Sequence, residues 1–96
     1  MSDKGVSDDG GASMKRYLVL AMREPAFDAS VIEPHREFMA ALREQGRLER
    51  SGAFSDKSGG AYVLLAPDLD AATALAHADP LHRVGASRLT IYEWQV

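Results

Sequence analysis

Residues 48–65 read LERSGAFSDKSGGAYVLL. Leu48 to Phe54 alternates in polarity as a half-buried strand does. Ser55-Asp56-Lys57-Ser58-Gly59-Gly60 collects the residues of a turn, and Ala61-Tyr62-Val63-Leu64-Leu65 is a short continuous apolar run. The stretch therefore predicts a β-hairpin near the middle of the chain. What stands on either side of it decides the fold.

Upstream, Tyr17 to Met22 is apolar without interruption, which suggests a strand buried on both faces. Ser30 followed by Glu33 fits a capping box, with Pro34 in the first turn where its missing N–H matters little. A helix from about Val31 to Gln45 follows, closed by Gly46. Val31, Phe38, Met39 and Leu42 form its apolar stripe, and His35 falls on that stripe at helical spacing, with Arg36, Arg43 and Glu44 turned outward. Downstream, Asp68 reads as the N-cap of a second helix, whose apolar face is Leu69, Ala72, Thr73, Leu75 and Ala76. Asp79-Pro80 ends it, and after a loop Arg88 to Trp94 reads as a last strand.

The order is thus β-α-β-β-α-β, an α+β ferredoxin-like arrangement in which right-handed crossovers place both helices on one face of an antiparallel sheet. The first and third strands are apolar on both faces. The helix-free face is therefore expected to pack against a second copy, giving a homodimer.

Composition narrows the function classes. Within 96 residues, 46% of them apolar, no run approaches the roughly 20 consecutive apolar residues of a membrane-spanning helix. A net charge of −3 without a cluster of Lys and Arg lacks the electrostatic footprint of a nucleic-acid binder. The absence of cysteine excludes disulfides, thiolate catalysis and Cys-based zinc sites, and fits a cytoplasmic location. The segment 1–13, MSDKGVSDDGGAS, is small, polar and acidic and reads as a disordered tail, leaving 14–96 as one domain.

Topology brings chemistry to one edge of this domain. If the first strand runs up, the first helix runs down and the second up, so the start of helix one meets the end of helix two. His35 and Asp79, distant in sequence, should then be neighbours. A carboxylate on one imidazole nitrogen fixes the tautomer and raises the basicity of the other, as a general base requires. The same pair can also serve only to hold two helix ends together.

The segment His77-Ala78-Asp79-Pro80-Leu81-His82 holds ligand types for a metal, but Asp79 faces inward, His77 lies towards the polar side, and Pro80 turns the chain between them. No metal site is expected there. His82 is expected to reach the His35 edge as a secondary substrate contact, and Arg23 and Arg83 are anion anchors near it. Phe54, Tyr62, Tyr92 and Trp94 belong to core or dimer interface, and each, Phe54 among them, is also available to line a substrate pocket between helices and sheet. Gly59-Gly60, with no helix following, is not a phosphate loop.

The block PHREFMAALREQGRLERSGAF, followed by a strand, AATALAHADPLHRVGA and a closing strand, resembles the YCII-related (YciI-like) proteins over about Lys15 to Trp94. The most specific elements are His35, the Gly46-Arg47-Leu48 turn and Ala78-Asp79-Pro80. The resemblance implies a dimeric α/β-barrel domain akin to a dehydrochlorinase of chlorinated hydroxyquinol breakdown and, more distantly, to muconolactone isomerases. It also implies a catalytic His-Asp pair at His35 and Asp79. Ile32 stands where many relatives carry Arg, and Gly52-Ala53 where they carry Gly-Pro, so the substrate contacts are expected to differ. The first expectation is a small cofactor-independent lyase or isomerase acting on an aromatic or lactone metabolite. The competing one is a non-catalytic dimeric binding or assembly module.

Overall fold

The computed structural model describes residues 13–96. The acidic segment read as a tail lies, except for Ser13, outside the described residues. Strand β1 (Lys15–Arg23) leads through a 3-10 turn (Ala29–Val31) into helix α1 (Ile32–Glu44). The hairpin β2 (Leu48–Ala53) and β3 (Gly59–Ala66) follows, then α2 (Leu69–His77), the one-turn α3 (Pro80–Arg83) and β4 (Ser87–Glu93). The four strands pair antiparallel in the order β2-β3-β1-β4, with both long helices packed on one face. This is the ferredoxin-like α+β fold.

Period-two alternation divides the sheet into two surfaces. Tyr17, Val19 and Ala21 of β1 and Tyr62, Leu64 and Ala66 of β3 are buried on the helix side. There they meet Met39 and Leu42 of α1 and Ala72 and Ala76 of α2. Each large side chain so buried stabilises the fold by about 1.5–3 kcal/mol. The alternate residues Leu18, Leu20, Met22 and Leu65 are half-buried on the helix-free face.

Three local expectations are corrected. Ser30 does not cap α1: Asp28 caps the preceding 3-10 turn, accepting from the Ser30 N–H at 3.0 Å and from the Ser30 hydroxyl, while Val31 at the N-cap of α1 makes no side-chain cap. The carboxylate two residues upstream is the stronger acceptor and consumes the serine hydroxyl, so no capping box forms with Glu33. Leu69, read as part of an apolar face, is half exposed in the first turn of α2. The residues after Asp79 are not a loop but α3, with Pro80 at its first position and Asp79 as its N-cap. Pro80 forbids continuation of α2 yet suits the start of a new helix. Other features match: Asp68 accepts from Ala71 N–H at 2.8 Å to cap α2, and Gly46 takes φ +73° after α1.

Gly59 opens β3 opposite Met22, where the strands approach so closely that a Cβ would lie 2.1 Å from the Ala21 carbonyl oxygen. Its φ of +156° is also poorly accessible to other residues. Gly59→Ala should therefore destabilise the domain by at least about 2 kcal/mol, read as a lowered midpoint in urea unfolding at unchanged slope.

Candidate functional site

Asp79 is the one fully buried acidic residue among those described, and three donors from separate parts of the fold converge on it. Its Oδ1 accepts from the Leu81 N–H at 2.9 Å, which is the cap of α3, and from His35 Nδ1 at 2.9 Å. Its Oδ2 accepts from the Tyr62 hydroxyl at 3.0 Å. The form of the carboxyl group that accepts all three is the carboxylate. His35 therefore carries a proton on Nδ1, and in the neutral form of this 24% exposed side chain Nε2 is the acceptor.

Tyr62 stays a donor across the whole neutral range. Burial pushes its hydroxyl far above its ordinary value, and the Asp79 charge and the bond it donates to that carboxylate push the same way. Tyr62 also stands beside the imidazole, with ring centroids 6.2 Å apart.

The ring opens onto a cavity of about 550 Å³ between α1 and the sheet. Sheet register explains the space. The helix-side row formed by Ala53, Gly60 and Ala21 carries no side chain larger than a methyl group, so the sheet falls away from the helix there. Above this floor run His35, Met39 and Arg43, one helical turn apart on α1, while Phe27, Ile32 and Leu81 supply apolar walls. Arg23, Arg36 and Arg43 line the cavity, although each is exposed. Long arginine stems let a side chain rooted on the polar face arrive at the rim.

The predicted residues divide. His35 and Asp79 meet, and Arg23 lines the cavity with its guanidinium 4.1 Å from the centre of the Phe27 ring. His82 does not reach the His35 edge: α3 carries its exposed ring onto His77, stacked at 4.1 Å between centroids, and it does not line the cavity. Phe54 lies just beyond β2, in a separate groove on the helix-free face with Leu18, Val63 and Trp94. Arg83 is exposed and does not line the cavity. Among the described residues no group of three or more His, Cys, Asp or Glu side chains could hold a metal ion. Nor is any helix among them long and apolar enough to cross a membrane.

In the sequence Tyr62 is one of four strand aromatics open to a pocket, with no link to Asp79, and Arg43 is an outward-facing helix residue. Tyr62 resembles any other aromatic on a buried strand, and Arg43 any solvated helix residue. A polar hydroxyl on the core side of β3 was the available signal for the first.

Comparison with known proteins gives the chain a family and the fold a neighbour. The model of the YCII-related domain matches residues 15–95. The chain belongs to the YCII-related family. Within reach of this YCII-related chain in sequence is "Uncharacterized protein YjpA" of Bacillus subtilis (strain 168), 45% identical over 83 residues, which cover 86% of this chain and 98% of that protein. Among solved structures it is similar to 5-chloro-2-hydroxyhydroquinone dehydrochlorinase (TftG) from Burkholderia phenoliruptrix AC1100 in complex with 2,5-dihydroxybenzoquinone. That match has a TM-score of 0.64 and 14% identity, and covers 83% of this chain and 93% of the other. At that identity the likeness is one of fold.

Two outcomes follow from the buried carboxylate. Asp79→Ala leaves the Tyr62 hydroxyl and the Leu81 N–H without partners and removes a cap, and should cost about 3 kcal/mol in denaturant unfolding. Tyr62 gives a pH dependence: its folded value lies above the ordinary 10.0, so its contribution is whole below pH 10 and is lost as pH rises further, when only the unfolded chain sheds the proton. Above pH 10 the stability of Tyr62→Phe should fall less steeply than that of the unaltered protein, by about 1.4 kcal/mol per pH unit.

Proposed function

We propose that this YCII-related protein is a small-molecule enzyme of lyase or isomerase type, with His35 as general base and acid and Asp79 as its orienting partner. The observation that carries the reading is the 2.9 Å bond from His35 Nδ1 to a carboxylate sealed from solvent, on a ring that lines a cavity of about 550 Å³. Nε2 takes a proton from a carbon or hydroxyl of the bound molecule. The imidazolium that forms is stabilised by Asp79, and the proton is then returned to another atom or retained while a leaving group departs. The step draws on no cofactor, and the reading includes a cytoplasmic location.

The fold neighbour supports this class of chemistry. TftG is by name a dehydrochlorinase of a hydroxylated ring, and its complex holds a planar dihydroxybenzoquinone. The cavity here is of the size that takes one such ring.

The reading includes a homodimer built through the helix-free sheet face. Tyr92, Trp94 and Phe54 remain 52%, 45% and 36% exposed, and Phe54 and Trp94 border a groove with Leu18 and Val63, more apolar surface in one place than a small monomer usually leaves open. Trp94→Arg should then shift the species seen by light scattering from dimer to monomer.

The catalytic part is tested by His35→Gln, assayed with a panel of chlorinated and unchlorinated hydroquinones for chloride release and spectral change. The expected result is a turnover loss of about 10²–10⁴-fold with the melting temperature held within a few degrees. A His35→Gln protein that turns over at the original rate would overturn the proposal. So would absence of turnover across the panel together with a stability loss in the variant, which is the behaviour of a purely structural pair.

A further inference from the structure

Charge around the cavity is one-sided. The charged residues lining it are Arg23, Arg36 and Arg43, and none of the lining residues is Asp or Glu. These arginines are not equally free. Arg36 lies 3.6 Å from Glu33 on the helix surface, and Arg23 lies over the Phe27 ring. Arg43 has no carboxylate within 4.0 Å among the described residues, and its one side-chain partner there is the Ser51 hydroxyl, at 3.3 Å. That bond is long, its acceptor carries no charge and it uses one nitrogen of the guanidinium, so most of the fork is available to a ligand.

The placement is specific. Arg43 lies on α1 two turns beyond His35, a rise of about 12 Å along the helix, and its long stem brings it to the cavity that His35 and Met39 also line. Ser51 pairs with Tyr62 across β2 and β3 and therefore faces the helix side of the sheet, opposite Arg43. A molecule with an anionic group at the Arg43 end would lie along Met39 and over the Gly60 floor, bringing its far edge to the imidazole.

We propose that Arg43 and Ser51 form a carboxylate-binding subsite, and that the ligand of this cavity is a small ring compound bearing a carboxylate. A guanidinium matches a planar carboxylate with two parallel hydrogen bonds, and the Ser51 hydroxyl can donate a third. The proposal deepens the reading of His35 and Asp79 and rests on it for the position of the reacting atom, whereas binding itself does not need the dyad.

The test uses benzoate and its neutral isostere benzamide, titrated into the full chain and followed by amide chemical shifts. Benzoate should bind at least tenfold more tightly than benzamide and perturb residues around Arg43, Ser51 and His35. Arg43→Gln should weaken benzoate at least tenfold and leave benzamide unchanged, with Arg43→Lys and Ser51→Ala giving intermediate losses. Arg43 is exposed, and an unchanged thermal melt checks that each variant is folded. His35→Gln should still bind benzoate, so a failed dyad and a failed subsite give different results. Equal affinity for benzoate and benzamide, or benzoate binding indifferent to Arg43→Gln in a folded variant, would overturn the subsite.

Discussion

The structure depends on one buried carboxylate. Asp79 is withdrawn from water between α2 and α3, and a charge in that position is tolerable only if its oxygens are fully engaged. The three donors that engage it come from the backbone of α3, the start of α1 and the middle of β3. A single group therefore ties both crossover units of the fold to the central hairpin. One of these bonds also holds Nδ1 of His35, so the contact that stabilises the junction also orients the imidazole beside the cavity.

The cavity next to that junction is a product of subtraction. Elsewhere the helix side of the sheet carries Tyr17, Val19, Tyr62 and Leu64 and is closed by α1 and α2. Where Ala53, Gly60 and Ala21 fall in one row across three strands, nothing fills the gap beneath α1. The helix meanwhile presents His35, Met39 and Arg43 to that gap at successive turns. Space comes from the small residues of the sheet and chemistry from the helix stripe, and each would be ordinary without the other.

The two faces of the sheet serve different purposes. The helix side combines packing and site, while the other side carries the half-buried Leu18, Leu20 and Met22 with the more exposed Tyr92 and Trp94. The Arg16 guanidinium meets Glu49 at 2.8 and 2.9 Å across that side, an exposed pair screened by solvent. Its value there lies in fixing β1 and β2 relative to one another more than in stability.

The sequence by itself determined the element order, because turn residues, apolar runs and helical spacing are local signals that each strand and helix expresses without help from the rest. It also determined that His35 and Asp79 would meet, since that follows from the directions of the elements once the βαββαβ order is known. Tertiary structure alone decided the remaining site. Tyr62 joins Asp79, and the Ala53-Gly60-Ala21 row opens the cavity, only through strand register, and register is set by pairing between distant segments. His82 turns away to His77 because Pro80 starts a new helix in place of a loop, and Ser30 loses its capping role because the Asp28 carboxylate engages its hydroxyl. Arg43 reaches the cavity because its stem is long enough to leave the polar face. Such outcomes depend on which groups compete in three dimensions, and residue type and spacing do not record that.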